Sequence, residues 1–247
     1  MLTKVEGIIL KTQEYGESHK IVTIFTKQYG KISAICRGAN KVKSRLSSVT
    51  QPFIKGDFLI FLSKGLSTVR QGEMIHSFRH IREDIIKTAY AAYITELTDK
   101  LMETKQPDKY LYEQLTNTLI WLNDKSNYII PIIMYELKLY KKGGFAPVVE
   151  HCVICNNPVD LHAFSIKEGG LLCKQCAHKD IHSLAITPNL LKLLPIFLNA
   201  GIEQIGTISV KEENEKMLRT ILDQYYDTYG GYTLKTKKFL SQIRLLE

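Results

Sequence analysis

The chain has 247 residues, of which 45% are hydrophobic and 23% are charged, an ordinary globular balance that needs no disulfides to form a core. No run of about 20 apolar residues occurs, which argues against a membrane span. The first residues also lack an apolar signal region, so we expect a cytoplasmic protein with reduced thiols.

The positive charge is confined to the first third of the chain. The formal net charge is +8. Residues 1–80 contain 13 Lys and Arg against 5 Asp and Glu, whereas residues 81–247 contain 20 of each kind. A basic module joined to a neutral one indicates a polyanionic partner for the first module. The alternative interpretation is that the excess charge only aids solubility.

Residues 1–80 have the pattern of a small β-domain. Apolar, β-rich runs lie at residues 5–10, 21–26, 32–36, 58–62 and 68–75. Gly30 supplies a turn between the second and third runs. Five short strands predict a small antiparallel barrel, because closure removes the free sheet edges.

Near residue 80 the hydrophobic period changes to that of helices. The predicted helices lie at residues 81–101, 107–122, 129–140, 188–198, 211–229 and 233–246. The sequence therefore predicts an α+β chain with a nucleic-acid-binding domain at residues 1–80 and a helical domain at residues 81–247. A cysteine-rich insert interrupts the second domain at about residues 148–180.

Four cysteines in this insert have the spacing of a metal site. Cys152 and Cys155 form one C-x2-C pair, and Cys173 and Cys176 form a second pair after a 17-residue gap. Two such pairs complete a tetrahedron of thiolates around one Zn²⁺ ion. Four thiolates leave no open position for water, so we expect one structural zinc ion per chain and no catalytic site.

Other interpretations of the cysteines are weaker. Disulfides are disfavoured in the cytosol, and a redox pair is not expected in duplicate. Histidines near the insert could replace a cysteine ligand, but they are better explained as exposed polar residues: His151, His162 and His178. Cys36 lies on a predicted strand and is interpreted as a small core residue.

A basic loop connects two of the predicted strands. Its cations are Arg37, Lys41, Lys43 and Arg45, and it contains no acidic residue. Gly, Asn and Ser residues favour a mobile loop. Cations on a barrel connection would follow a phosphate backbone, which makes these residues candidate nucleic-acid ligands. A solvated basic loop is the alternative.

Further contacts to nucleic acid are weaker candidates. Aromatic residues that could stack on bases are Tyr15, Tyr29 and Phe53. A second basic cluster, Lys235, Lys237 and Lys238, lies on the predicted last helix. The pattern there favours the solvated face of an amphipathic helix, and DNA contact by this cluster stays open.

An ordered set of short motifs resembles the bacterial recombination mediator family RecO. The motifs run along essentially the whole chain: Gly7-Ile8-Ile9-Leu10, Tyr15-Gly16-Glu17, Phe25-Thr26, Gly30, Arg37-Gly38, Ser44-Arg45-Leu46, Gln51-Pro52-Phe53, Glu96-Leu97, Gly144-Phe145-Ala146-Pro147, the two cysteine pairs and Leu234-Lys235-Thr236-Lys237-Lys238-Phe239-Leu240. One departure is Thr236, where many members carry Ser.

The resemblance implies more than the residue patterns do. It implies an N-terminal OB-fold, a helical domain with an embedded zinc lobe, and a nucleoid-associated, non-enzymatic function in DNA repair and recombination. It also implies binding of single- and double-stranded DNA, annealing of complementary strands, and help in loading the recombinase RecA. The implied protein partners are RecR and the C-terminal tail of single-stranded DNA-binding protein (SSB).

The sequence also bears on two other classes of function. A zinc hydrolase or deaminase would need a His-x-Glu segment and a ligand position left for water, and the sequence has no His-x-Glu. An RNA-binding OB-fold accessory factor stays open as an alternative, because the charge pattern does not distinguish DNA from RNA.

Overall fold

The computed structural model describes residues 1–206 and 209–244 and confirms the expected α+β class. Contacts between residues group the chain into two compact units. One unit holds Met1–Ser126 together with the C-terminal segment from Leu234, and the other holds Asn127–Thr233. Within the described part of the chain, no helix has the length and apolar character needed to cross a membrane.

The first unit begins with a closed five-stranded barrel. Its strands are β1 (Leu2–Tyr15), β2 (His19–Thr26), β3 (Gly30–Cys36), β4 (Lys55–Phe61) and β5 (Ser67–His76). Their order around the barrel is β1-β2-β3-β5-β4, and β1 pairs with β4 to close it. All neighbours are antiparallel except β3 and β5, which pair in parallel over a short stretch. This is the arrangement of an OB-fold.

Alternation of side chains along the strands builds the barrel core. On β2, for example, Val22 and Ile24 are buried, whereas the residues between and before them are partly exposed. The tight turn from β2 to β3 requires a glycine at residue 30, where φ is +65° and a Cβ atom would lie 2.1 Å from the carbonyl oxygen of Gln106. Only glycine tolerates both the left-handed backbone and this close approach.

Helices lie between and after the strands of the first unit. They are α1 (Leu46–Val49), between β3 and β4, and then α2 (Arg79–Glu83), α3 (Ile85–Leu101) and α4 (Lys109–Asp124). The sequence predicted that α4 begins at Pro107, but the helix begins two residues later. Asp108 caps it by accepting a hydrogen bond from the Leu111 backbone N–H at 2.9 Å.

Helices α3 and α4 pack against the barrel through both apolar and polar contacts. The Tyr112 ring meets Phe25 of β2 edge to face at 5.8 Å, and its hydroxyl donates to Glu6 at 3.0 Å. Lys31 of β3 pairs with Asp99 of α3 at 3.2 Å. Strands give way to helices near residue 80 as predicted, while the independence of residues 1–80 as a domain stays a prediction.

The second unit surrounds one almost fully buried helix. Its elements are α5 (Ile129–Lys142), β6 (Leu161–Ser165), β7 (Gly170–Cys173), β8 (Leu184–Ala185), α6 (Pro188–Asn199) and α7 (Glu212–Tyr229). Every residue of α5 from Ile130 to Tyr140 is buried. Among them, Glu136 is paired with Arg219 of α7 at 2.6 Å, which compensates the burial of its charge.

The last helix, α8 (Lys235–Arg244), returns to the first unit and packs on α3. Leu234, Leu240 and Ile243 are buried, whereas Phe239 is 46% exposed. The part of the predicted helix beyond Arg244 lies outside the described residues.

Candidate metal centre and nucleic-acid interface

The structure brings the two cysteine pairs together in one cluster. Cys152 and Cys155 precede β6, Cys173 ends β7, and Cys176 follows in the next turn. Their four sulfur atoms all lie within 4.8 Å of one another, and the Cys155 and Cys173 sulfurs are 3.7 Å apart. Cys155 is exposed and the other three are buried. All five cysteines of the chain are free thiols.

Backbone hydrogen bonds shape the two cysteine turns. In the first turn, Asn156 N–H donates to the Cys152 carbonyl and Cys152 N–H donates to Asn157, both at 2.8 Å. Asn156 has a left-handed φ of 60°, which an Asn tolerates better than most residues. In the second turn, Cys176 N–H donates to the Cys173 carbonyl at 3.0 Å. Both turns therefore point their sulfurs at one centre.

The small sheet β7-β6-β8 fixes the two turns relative to each other. Val153, inside the first turn, donates its N–H to the Leu171 carbonyl of β7 at 2.8 Å. The cysteines and Leu172 form an apolar cluster, and Val153, Ile154 and Leu161 pack against it. This cluster around the sulfurs is small, so an ion at its centre would add to the stability of the two turns.

The sulfur geometry fits a tetrahedral metal ion. Ligands held about 2.3 Å from a central ion in a tetrahedron lie about 3.8 Å from each other. The 3.7 Å separation of Cys155 and Cys173 matches this distance, and the other separations require only small adjustments. No histidine belongs to this cluster among the described residues, so His151, His162 and His178 are not brought together as ligands.

The pKa values of two of these thiols are shifted from the ordinary value for cysteine, and the close packing of the four sulfurs favours binding of a cation. Burial acts to raise the pKa of Cys152, but backbone hydrogen bonds from Cys173, Cys155 and Ile154 lower it to about 6. Burial and hydrogen bonding to the other thiols raise the pKa of Cys176 to about 12. Four thiolates so close together repel each other, and a divalent cation relieves that repulsion by replacing their protons.

The fifth cysteine has a different environment. Cys36 is fully buried in the barrel core, and burial raises its pKa to about 12. Its thiol therefore stays protonated and shielded from reagents at neutral pH. This agrees with its interpretation as a small core residue.

The basic loop forms an exposed cationic surface at one end of the barrel. Its four cations are all exposed: Arg37, Lys41, Lys43 and Arg45. None of them forms an ion pair with a carboxylate of the described residues. Their charges are thus available to a polyanion.

The loop is more ordered than its Gly, Asn and Ser content suggested. Gly38 N–H donates to Nδ1 of His19 at 2.9 Å, and Asn40 N–H donates to the Ser18 carbonyl at 3.0 Å. The Asn40 side chain also donates to Glu14, and Ala39 is buried. These contacts attach the loop to the β1–β2 hairpin, so the backbone that carries the cations is held in place.

The candidate stacking residues differ in exposure. Tyr15 is 51% exposed at the end of β1. Tyr29 is partly exposed and packs against the barrel core, whereas Phe53 is buried and presents no free face to a base. In the second basic cluster, Lys235 and Lys238 are exposed on α8.

Sequence patterns missed a groove on the outer face of the barrel. It has a volume of about 680 Å³ and begins at Arg45, the last cation of the loop. Arg70 of β5 lines it at a register irregularity in the β4–β5 pairing. Such an irregularity redirects a side chain, and no sequence motif predicts where the irregularity occurs.

The fold and the cysteine cluster together define an OB-fold protein with a four-cysteine lobe able to hold a metal ion. Family comparison agrees with this class. Residues 1–78 match the model of the Recombination protein O N terminal, and residues 82–238 match that of the Recombination protein O C terminal.

Full-length relatives give the same result. The DNA repair protein RecO of Oceanobacillus iheyensis is 52% identical over 98% of this chain and 94% of its own length. The proteins of the same name from Halalkalibacterium halodurans (43% over 98% of this chain, 96% of that one) and Bacillus subtilis (42% over 100% and 97%) are similar. The chain belongs to the RecO family of DNA repair proteins, which confirms the resemblance seen in its motifs.

The comparisons also bear on the alternatives. The relatives are named for DNA repair, which does not favour an RNA-binding accessory factor. Neither do these names describe a catalysed reaction.

Proposed function

We propose that this protein is a non-enzymatic DNA-binding mediator of recombination. It binds single- and double-stranded DNA, anneals complementary strands and helps to load a recombinase on DNA coated with SSB. The observation that carries the proposal is the exposed basic loop on the OB-fold barrel of a chain that belongs to a DNA repair family. The cations of this loop form no ion pair with the carboxylates that the structure describes.

The loop supplies affinity without reading sequence. Each phosphate neutralised on single-stranded DNA releases condensed counterions and contributes about −0.7 to the slope of log affinity against log salt concentration. Arg37, Lys41, Lys43 and Arg45 can contact phosphates without touching base edges, so binding by the loop is similar for all sequences. A mediator that meets DNA of any sequence needs this property.

The cysteine cluster has a structural role in the proposal. Cys152, Cys155, Cys173 and Cys176 bind one Zn²⁺ ion per chain, for which four sulfur ligands in a tetrahedron are typical. The ion holds the lobe together and leaves no coordination position for a substrate. This arrangement supports a function that involves no catalytic turnover.

The partners in the proposal follow from family membership. They are DNA, RecR, the C-terminal tail of SSB and, indirectly, RecA, in the cytoplasm at the nucleoid. Family membership supports them, because relatives of nearly the same length are DNA repair proteins.

A salt titration tests the proposed DNA surface. The loop variant replaces Arg37, Lys41, Lys43 and Arg45 with Ala, and the control variant replaces Lys235, Lys237 and Lys238 with Ala. The loop variant should flatten the log–log salt slope on one oligonucleotide by about 3 if all four cations contact phosphate. The control should change it less, because residues 81–247 carry no net excess of charge.

The same proteins test the annealing activity. The wild type should accelerate annealing of complementary DNA strands more than that of RNA strands of equal sequence, and the loop variant should lose the acceleration. An unchanged salt slope in the loop variant would place the DNA surface elsewhere. Faster annealing of RNA than of DNA would contradict a role specific to DNA.

A further inference from the structure

The groove beside the basic loop has an apolar floor. Leu59 of β4 and Leu46 of α1 are half-buried there, and Leu46 also packs against the barrel core. Gly72 of β5 lets the strand approach α1 closely, because a Cβ atom at this residue would lie 2.7 Å from Val49. The floor is therefore held by packing on both sides and is preformed.

Two arginines extend over this floor without a carboxylate partner. Arg45 and Arg70 are exposed, and neither forms an ion pair within the part of the chain that the structure describes. Elsewhere in the groove, Lys4 is neutralised by Asp57 at 2.8 Å. The cations free to meet an anion are thus the two arginines.

Strand register gives Arg70 its position. The β4–β5 pairing runs from Leu59↔Gln71 to Ile60↔Val69, which leaves Arg70 as an extra residue on β5. A β-bulge of this kind bends the strand and redirects the side chain. Polar side chains of the neighbouring β5 residues Gln71 and Glu73 also line the groove.

We propose that this groove is a subsite for one unstacked nucleotide of a single DNA strand. This subsite rests on the proposed function, because Arg45 is both the last cation of the basic loop and a residue that lines the groove. A strand held by the loop at Arg45 continues into the groove, with a phosphate on Arg70. Its base lies on Leu46 and Leu59, and Gln71 and Glu73 accept hydrogen bonds from the base edge.

Size and chemistry select this occupant. The volume of about 680 Å³ lies in the ~300–1,000 Å³ range of small-molecule sites, enough for a nucleotide. A base paired inside a duplex cannot reach an apolar floor, whereas an unpaired base can be splayed onto it. Glu73 opposes a purely anionic ligand but accepts well from a base amino group. The groove therefore distinguishes single strands from duplexes, which the phosphate-binding loop does not.

The test compares single-stranded and duplex DNA binding by full-length variants. Arg70→Ala should weaken binding to an unstructured oligonucleotide by about tenfold, the scale of a lost charged hydrogen bond, and flatten its salt slope by about 0.7. Leu59→Ser should also weaken single-strand binding but leave the salt slope unchanged. Both should change duplex binding by less than about twofold, which also shows that the variants are folded.

The matched control is Lys64→Ala, which removes an exposed barrel cation that does not line the groove. It should weaken single-stranded and duplex binding by the same small factor. If Arg70→Ala or Leu59→Ser weakens both forms of DNA equally, or neither, the subsite is wrong. The loop variant, with Arg37, Lys41, Lys43 and Arg45 replaced by Ala, separates the two proposals. If this variant flattens the salt slope and Arg70→Ala does not, the DNA-binding function stands and the groove subsite fails.

Discussion

The Glu96 carboxylate of α3 accepts a hydrogen bond from the Thr236 backbone N–H at 2.9 Å and another from the Thr236 hydroxyl at 2.5 Å. It also accepts from the Lys235 backbone N–H at 3.3 Å. These N–H groups lie in the first turn of α8, where a helix has no internal acceptors and favours negative charge. Residues 140 positions apart in sequence thus join the C-terminal helix to the unit that contains the barrel.

Replacing Glu96 should loosen this attachment. Glu96→Ala removes the acceptor for the first turn of α8 and should lower the free energy of unfolding by about 1–3 kcal/mol. Thr236→Ser is the matched control, because serine keeps the hydroxyl donor and should stay within about 0.5 kcal/mol of the wild type. Urea denaturation measures both. Equal stability of Glu96→Ala and wild type would show that α8 is held by its apolar face alone.

The five cysteines should separate into two reactivity classes. In the metal-bound protein an aromatic disulfide reagent should modify none of them quickly, because Cys36 is buried and the other four are ligands. A strong chelator should release one zinc ion per chain and expose four reactive thiols. Cys36 should react only in denaturant, and Cys36→Ala should leave the count in chelator unchanged.

Elemental analysis completes this prediction. Untagged wild-type protein should contain about one zinc per chain, and Cys173→Ser should contain much less. Wild-type protein with no bound metal, or with four quickly reactive thiols before chelation, would contradict the metal site.

Local patterns predicted the features of this fold that depend on local spacing. The paired C-x2-C segments indicated the cysteine cluster because each pair forms its own turn. The apolar, β-rich run at residues 21–26, followed by the turn at Gly30, indicated the strand β2. Contacts between distant residues left no such pattern. Glu96 and Thr236, or Glu136 and Arg219, meet only after the helices have packed.

The candidate DNA surface was predicted only in part. The charge of the basic loop is visible in the sequence, but its attachment through His19 and Asn40 is a tertiary contact. The sequence does not indicate Arg70 as a site residue, because its position depends on a register irregularity between β4 and β5. The side-chain period of a strand cannot reveal which residue is extra.

The barrel should fold without the helices but lose stability. Residues 1–80 include all five strands and the β1–β4 pairing that closes the barrel, so this fragment should give a β-rich circular dichroism spectrum. It exposes Phe25, which Tyr112 covers in the full chain, so its melting temperature should lie below that of residues 1–126. A mainly helical or unfolded spectrum would contradict a separate domain.

Lys138 lies in an unusual environment on α5. Its side chain is only 4% exposed, and the ammonium donates to the Phe197 carbonyl at 3.2 Å. Its pKa is lowered from 10.5 to about 8, mainly by burial; nearby Glu203 acts against this shift, and Lys141 adds to it. Keeping this group charged at neutral pH therefore lowers the free energy of unfolding.

Stability should consequently depend on pH through Lys138. Between about pH 8 and 10.5 the folded lysine is neutral while the unfolded lysine still binds a proton, so the free energy of unfolding rises with pH across this window. Below pH 8 both forms are charged, and the penalty is on the order of 3 kcal/mol at about 1.4 kcal/mol per pKa unit. Lys138→Met should remove the rise, so its stability relative to wild type should fall by a similar amount from pH 7 to 10.5. Other titrating groups cancel in this difference, which urea denaturation at a series of pH values measures. Parallel profiles for the two proteins would show that the Lys138 ammonium is well solvated in the folded state.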